Sequence, residues 1–485
     1  MPFPLGAPPI IFGTDGWRGI IGVDFTLERL LLAAAAAAQE LAYRAPNGCD
    51  SREVVIGYDC RFMAPEFAEA AVAAVRGCEL EPLLTATPVP TPACSWAVVQ
   101  RKALGALVIT ASHNPPEWLG IKIKGPFGGS VENDFTQAVE RRLRAGGITV
   151  PIAATNSKQF DARGNYLRKI KTSFDVPAIL EGLRRRGLCV IVDPMHGSAA
   201  KCVSELFGPG SEDVLREIHS QRDPLFGGCS PEPIASHLSE LIEAVLSSRG
   251  KSRAAIGLAF DGDGDRLAAV DEDGCFCSSQ LLMPLLIDHL ARFRQLPGLV
   301  VKTVSGSDLI RYVAEELGRE VLELPVGFKH ITATMLSSDV LVGGEESGGI
   351  GFGIHLPERD ALFAAMLVLE ALVESNQTLG TKLKDLQRGC GRASHYKRLD
   401  LRLASLGSRK RLEGLLDGIP PSVVAGYKVQ EIIRTDGIKL RLGLGHWLML
   451  RFSGTEPLLR IYCEAPEAKR AQDILLWAKE LAESI

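Results

Sequence analysis

Four short loops hold the residues whose types and spacing could do chemistry. The first is Thr110-Ala111-Ser112-His113-Asn114-Pro115-Pro116. Its two prolines stop a helix and fix a turn, so Ser112 stands on a rigid support at the end of an apolar run. Alone, the string also reads as an Asn-Pro turn with a capping serine. It is not a Gly-x-Ser-x-Gly elbow, and no Asp and His can be assigned to a hydrolase triad, which disfavours a serine hydrolase. The second loop is Asp261-Gly262-Asp263-Gly264-Asp265-Arg266. Carboxylates at i, i+2 and i+4 on a Gly-flexed backbone can converge on one side. Such an oxygen-only set suits a hard divalent cation such as Mg²⁺, and like charges this close repel unless a cation lies between them. A solvated acidic turn is the bland alternative. Three carboxylates also leave a coordination shell short of an anionic ligand, for which a phosphate oxygen would fit.

The third loop is Gly343-Gly344-Glu345-Glu346-Ser347-Gly348-Gly349. Two acids and a hydroxyl among glycines let the backbone approach a ligand, and these groups match sugar hydroxyls, which both donate and accept. The fourth, Arg451-Phe452-Ser453-Gly454-Thr455-Glu456-Pro457, offers a bidentate guanidinium, hydroxyls and a Gly amide, as in a nest for phosphate. Read singly, a flexible acidic turn and a hairpin loop would serve. Weaker candidates are the Gly-rich stretch 12–19 ending at Arg18-Gly19 and Gly327-Phe328-Lys329-His330; His330 stays unassigned. In Gly120-Ile121-Lys122-Ile123-Lys124 the two lysines would share one strand face, which as a bland reading is a solvated face. One decoy is excluded. Asp261, Asp263, Asp265 and Glu272 match positions 1, 3, 5 and 12 of an EF-hand, but position 6 is Arg266, where Gly is needed, and the flanks read as strands.

Strand and helix patterns must position these loops. Apolar runs at 54–56, 107–110, 190–192, 256–260 and 341–342 each lead into a polar loop, and helical patterns alternate with them, as in the Ala-rich 65–75. The alternation predicts an α/β protein: three similar α/β domains with mixed, mostly parallel sheets, whose ligands bind beyond the carboxyl ends of the strands. After about residue 390 the pattern changes. Strands are expected at 395–403, 426–433, 447–452 and 458–465, with a closing helix at 466–483, giving a C-terminal α+β domain. The expected domains are 1–160, 161–275, 276–390 and 391–485.

Composition narrows the class. The chain has 485 residues, 46% hydrophobic and 23% charged, enough for several domains with sizeable cores. Lys plus Arg number 54 against 58 Asp plus Glu, a net charge of −4, which argues against nucleic acid as the main partner. Eleven scattered cysteines without a CxxC pair read as reduced structural thiols. The N-terminal MPFPLGAPPIIFG lacks the basic segment of a signal peptide, and the apolar run 30–38 is about half of what spans a bilayer. The expectation is a cytoplasmic protein, monomer or dimer, that does not bind membranes.

Taken in order, TASHNPP, DGDGDR, GGEESGG and RFSGTEP resemble the loops of the α-D-phosphohexomutase family, the phosphoglucomutases and phosphomannomutases, across residues 12–465. The resemblance implies four domains, each lending one loop to a central cleft. Ser112 would carry the phosphoryl group, and Ser112 with Asp261, Asp263 and Asp265 would bind Mg²⁺. Arg18, His113, Lys122 and Arg266 match the family's groups around the transferring phosphoryl. Glu345 and Ser347 match its sugar readers, and Gly327 and Lys329 its substrate-contacting loop. Arg451, Ser453, Gly454 and Thr455 match the clamp on the phosphate that is only held. The implied reaction interconverts hexose 1-phosphate and hexose 6-phosphate, with glucose favoured and mannose second, glucosamine less so. Glucose 1,6-bisphosphate would be activator and intermediate. Gly349 departs from a common His of mannomutase-like members, which leaves the acid/base open, with His355 as a substitute; Asp360-Ala361 replaces a common Asp-Gly. A bisphosphate synthase on the same scaffold, a metal-dependent sugar phosphatase and a silent paralogue remain alternatives. The first would keep every motif, the second would not need the second phosphate clamp, and the third would be expected to lose Ser112 or an Asp.

Overall fold

The computed structural model describes residues 8–46, 48–146, 157–248, 254–403, 405–418, 420–443, 445–452 and 458–484. Three α/β units and a C-terminal α+β unit follow one another. The first sheet has the order Trp17–Ile20, Trp118–Lys124, Gly105–Ile109, Glu53–Tyr58, Glu81–Thr85, Lys158–Phe160. Glu53–Tyr58 runs parallel to both neighbours, and Trp118–Lys124 returns antiparallel to Gly105–Ile109. The turn of that return is the Ser112 loop. Helix Leu27–Tyr43 starts at the Thr26 cap, and Ala33 to Ala38 are all buried. Small side chains there let it lie close against helix Ala64–Gly77 without losing helix propensity.

The second sheet has the order Phe276–Cys277, Leu267–Val270, Ala254–Phe260, Leu188–Asp193, Leu215–Glu217. Ala254–Phe260 is parallel to Leu188–Asp193 and antiparallel to Leu267–Val270. The Asp261–Arg266 turn is thus a hairpin turn between strands, and the EF-hand is excluded by its flanks. The third sheet places Leu299–Thr303 between Val321–Leu324 and Val340–Gly344, both parallel, with Ile350–Phe352 antiparallel at the edge. The Glu345 loop is that last hairpin. Each sheet therefore has a parallel centre and antiparallel returns, and in each of the three a loop that the sequence singled out caps a strand end.

The C-terminal sheet is an antiparallel run of His395–Arg402, Leu458–Ala465, His446–Phe452, Ile438–Gly443 and Glu431–Ile433, covered by helix Ala468–Glu483. Two expectations need correcting here. The single strand expected at 426–433 is broken into Tyr427–Lys428, paired with Val423–Val424 around the positive-φ Gly426, and a separate Glu431–Ile433. Strand Ile438–Gly443 and helix Leu406–Gly418 add to the expected pattern. Among the described residues no single helix is long and apolar enough to cross a membrane. Helices Ala361–Ser375 and Leu379–Gly389 pass on composition as a pair bent by 78°, but the first is buried in the core.

Candidate active site

Ser112 is held by residues upstream of it in the chain. Its φ is +52°, a conformation that costs a non-glycine residue and needs support. Its N–H donates to Thr110 Oγ1 at 2.8 Å, and Thr110 donates to Asp59 Oδ2 at 2.6 Å. Buried Arg61 pairs with Asp59 at 3.3 Å and donates to the carbonyls of Ser112, Asn114, Pro115 and Trp118 at 2.7–3.1 Å. One guanidinium thus satisfies a turn whose carbonyls have no ladder partner.

The Ser112 hydroxyl donates to Asp261 Oδ2 at 2.7 Å, across 149 positions of sequence. Asp261 Oδ1 accepts the amides of Asp265 and Arg266, which coils the acidic turn on itself. Thr91, at the start of helix Thr91–Arg101 in the first unit, donates its hydroxyl to Asp263 Oδ2 at 2.6 Å and its amide to the Asp263 carbonyl. Carboxylate oxygens of Asp261, Asp263 and Asp265 lie within 4.8 Å of one another, and all three residues are fully buried. Asp263 Oδ1 and Asp265 Oδ1 are buried without a hydrogen-bond partner. Burial first, then Asp263 and Asp265, push the Asp261 carboxyl well above its ordinary range. Orphaned anionic oxygens facing one another are what a hard divalent cation relieves, so these residues fit Mg²⁺.

Cations surround the triplet. Lys122 Nζ lies 2.7 Å from Asp263, 2.7 Å from Asp265 and 2.8 Å from Asp15. Burial works against its charge, but these three carboxylates hold its pKa above the ordinary lysine value. Lys124 is buried too, against Glu358 at 2.5 Å. The lysine face, for which a solvated strand face is the bland alternative, is therefore interior, because the second and third units cover it. Arg18 donates to Asn114 at 2.6 Å, and Arg266 approaches Asp261 at 3.9 Å. His113 Nδ1 is 3.3 Å from Ser112 Oγ; burial first, then Arg266 and Arg18, hold its pKa well below the usual histidine value, so the imidazole is neutral.

The Glu345 loop joins this cluster through the backbone. Leu267 N–H donates to the Gly348 carbonyl at 3.0 Å, and Arg266 bridges to Gly349. Glu345 Oε1 accepts Gly327 N–H at 3.0 Å, and burial, opposed by Arg359, pushes the Glu345 carboxyl up to about 7. Ser347 borders a cavity of about 770 Å³ between the second, third and C-terminal units. Lys329 donates to Asn133 Oδ1 at 2.6 Å. Arg451 donates to Asp436, which also accepts Val326 N–H beside the Gly327 turn. Ser453, Gly454 and Thr455 lie outside the described residues.

Sequence reasoning missed three residues here: Asp15, Arg61 and, above all, Arg359. The Arg359 guanidinium is 2.9 Å from Asp265 and 3.5 Å from Glu345, and it also pairs with Asp15. It follows the Glu345 loop in Pro357-Glu358-Arg359-Asp360, which has no glycine or repeat to flag it. Its stem explains Gly349: a Cβ there would stand 2.6 Å from Arg359 Cδ. His355 does not substitute as acid/base. Its ring stacks on Phe363 at 4.2 Å and its Nε2 meets Asp360 at 2.7 Å, inside the core. Asp360 caps helix Ala361–Ser375 and accepts Tyr166 Oη–H at 2.6 Å, a structural role.

Comparison with known proteins agrees with this geometry. Family models of phosphoglucomutase/phosphomannomutase match in chain order: alpha/beta/alpha domain I at 9–147, domain II at 164–274, domain III at 278–388 and the C-terminal domain at 411–477. A phosphoglucosamine mutase of Synechococcus sp. (strain RCC307) is 31% identical over 99% of this chain and 96% of its own. A phosphoglucomutase/phosphomannomutase of Thermococcus kodakarensis is 29% identical over 98% and 99%. A solved structure from Thermus thermophilus, assigned provisionally as a phosphomannomutase, superposes with a TM-score of 0.85 at 31% identity, over 98% of this chain and 100% of that one. The chain belongs to the α-D-phosphohexomutase (phosphoglucomutase/phosphomannomutase) family and carries that family's magnesium-dependent intramolecular phosphotransfer chemistry.

Proposed function

We propose that the protein interconverts hexose 1-phosphate and hexose 6-phosphate through a phosphoserine at Ser112, with glucose phosphate as the preferred substrate and mannose phosphate as the second. The single observation that carries this reading is Ser112 Oγ at 2.7 Å from a buried acidic triplet, under a ring of basic side chains. Four units, divided near 160, 275 and 390, each lend one loop. Phosphoryl transfer asks for positioning and charge neutralisation more than covalent chemistry. Asp261, Asp263 and Asp265 would hold Mg²⁺, which neutralises charge on phosphoryl oxygens when bound.

The protein's own groups divide the remaining work. Arg61 and Thr110 aim Oγ. Lys122, Arg18 and Arg266 offset charge on the moving phosphoryl. The bond from phosphorus to Ser112 Oγ breaks as one forms to the free sugar hydroxyl oxygen, and the hydroxyl proton ends on Oγ. Neutral His113, 3.3 Å from Oγ, is placed to pass that proton. The bisphosphate then turns over, and its other phosphate returns to Oγ by the reverse step. Glu345, Ser347, Gly327 and Lys329 read the sugar, and Arg451 with Ser453, Gly454 and Thr455 clamps the phosphate at rest.

Charge supports the choice of a neutral sugar. Glu345 already faces Arg359, so its charge is offset, which suits a neutral hydroxyl better than an ammonium. Glucosamine phosphate is the second reading, because phosphoglucosamine mutases are among the relatives. The test is a coupled assay of glucose 1-phosphate conversion with Mg²⁺ and a trace of glucose 1,6-bisphosphate, beside the mannose and glucosamine phosphates. Activity greatest on glucose, lost in Ser112→Ala and with chelator, is the expected result. A wild-type enzyme inert on all three sugars refutes the mutase; preference for glucosamine phosphate refutes the sugar assignment.

A further inference from the structure

Adjacent residues of the sugar loop face opposite ways. Glu345 is buried and turns towards Arg359 and the Gly327 amide. Glu346, at the edge of the cavity beside Ser347, turns towards the junction of the third and C-terminal units: its Oε1 accepts Tyr462 Oη–H of the C-terminal unit at 3.1 Å and its Oε2 accepts Ser305 Oγ–H of the third unit at 2.8 Å. Tyr462 is fully buried on strand Leu458–Ala465, and Ser305 is fully buried in the turn after Leu299–Thr303.

Both partners belong to one dense junction. Val304, Trp447, Met449 and Tyr462 form a small buried cluster across it. Lys439 donates to the Val304 carbonyl at 2.7 Å, and Glu464 accepts the Ser307 hydroxyl and the Asp308 amide. The C-terminal sheet therefore grips the 304–308 turn from several sides. Tyr462 sits beside Met449 in the pairing of His446–Phe452 with Leu458–Ala465, and the same pairing sets Arg451 opposite Arg460. Arg451 is the last residue but one of its strand. A short rigid path thus runs from the arginine of the clamp through Tyr462 to Glu346, and one peptide further to Glu345.

We propose that Glu346 is a positioning residue that fixes the spacing between the sugar-reading loop and Arg451, so that sugar and resting phosphate are bound together or not at all. A charge-assisted hydrogen bond from the buried Tyr462 hydroxyl to the half-buried Glu346 carboxylate holds a fixed distance better than apolar contact does. The alignment matters because the two ends of one substrate must meet two loops from different units. The kinetic consequence rests on the phosphomutase reading; the mechanical link does not.

Two measurements on Glu346→Gln, Tyr462→Phe and the double variant test it. Both changes keep volume, so folding is preserved. In hydrogen–deuterium exchange, amides 304–307 and 345–349 are expected to exchange at least fivefold faster in each variant. In the coupled assay, KM for glucose 1-phosphate is expected to rise roughly tenfold with kcat within threefold, the size of one hydrogen bond to a charged group. The double variant should be no worse than the poorer single one, because both changes weaken the same hydrogen bond, one by removing the acceptor's charge and the other by removing the donor. Unchanged exchange overturns the link. Altered exchange with unchanged KM, or effects that multiply in the double variant, overturns its role in binding. A wild-type enzyme inert on hexose phosphates counts against the mutase reading, and exchange still decides the link.

Discussion

Gly262→Ala puts the distance between carrier and metal loops to a direct test. A Cβ at Gly262 would stand 2.6 Å from the Ser112 carbonyl oxygen and 2.9 Å from Pro231 Cγ. Gly262 has no positive φ that would strain alanine, so the clash is the expected source of the effect. Restoring an ordinary carbon–oxygen contact needs roughly 0.5–0.8 Å of separation. The Ser112 hydroxyl and Asp261 now meet at hydrogen-bond distance, so this shift falls on the reacting atoms. Since a misplacement of about 1 Å can cost about 100-fold, kcat should fall roughly 10- to 100-fold, about 1.4–2.7 kcal/mol on the barrier. Overpacking should cost about 1–3 kcal/mol of stability, leaving the protein folded. Gly414→Ala is the control: nothing lies within 4 Å of its Cβ, and it sits inside helix Leu406–Gly418, where alanine should be neutral or stabilising. The coupled assay gives kcat and KM, and denaturant titration confirms folding. A Gly262→Ala enzyme with kcat within twofold of wild type would refute the claim that the two loops need this spacing.

Other perturbations follow from the same contacts. Arg61→Met leaves Asp59 buried without its cation and frees the carbonyls of the Ser112 turn; a loss of about 3–5 kcal/mol in denaturant titration is expected, and less than about 1 kcal/mol would show that Arg61 does not hold the turn. Glu345 is raised to about 7 by burial, so it protonates as pH falls through neutrality; KM should rise as pH falls from about 8 to about 6, and Glu345→Gln should flatten that profile. His219 is raised to about 9 by its hydrogen bond to Asp193, so its contribution to stability is fully present below about 6.5 and is lost as pH rises through 9. The denaturation midpoints of wild type and His219→Gln should therefore converge at about pH 9.5, and a gap that stays constant would rule the linkage out. Arg359→Met leaves Glu345 without its cation and Asp15 and Asp265 with Lys122 alone; kcat/KM should fall at least tenfold, and an unchanged value would make Arg359 dispensable.

What was legible in the sequence is what is local in it. The Ser112 turn, the acidic turn and the Glu345 turn each lie at a strand end, where a run of apolar residues meets glycine and polar side chains. Their strand flanks were readable because buried parallel strands are continuous apolar runs. Lys122 shows the limit. Alternation correctly placed Lys122 and Lys124 on one face, but periodicity cannot tell water from another domain, and both lysines are buried against carboxylates from the second and third units. The strand Ile438–Gly443 went unread for a related reason. Its Lys439 and Arg441 look like surface charges, yet Lys439 is buried under the third unit and Arg441 pairs with Asp308. Arg359 and Arg61 carry no local signature at all, because each is defined by the groups it neutralises, and those come from distant segments. Charge explains why such residues had to exist. An acidic triplet, Glu345 and Glu358 are buried in one place beside the half-buried Asp15, and buried carboxylates persist only when paired. A sequence that commits this many acids to a cleft must supply buried cations from elsewhere in the chain. Counting the buried charge of the recognised loops therefore predicts that partners are missing from the reading, even where it cannot say which arginines they are.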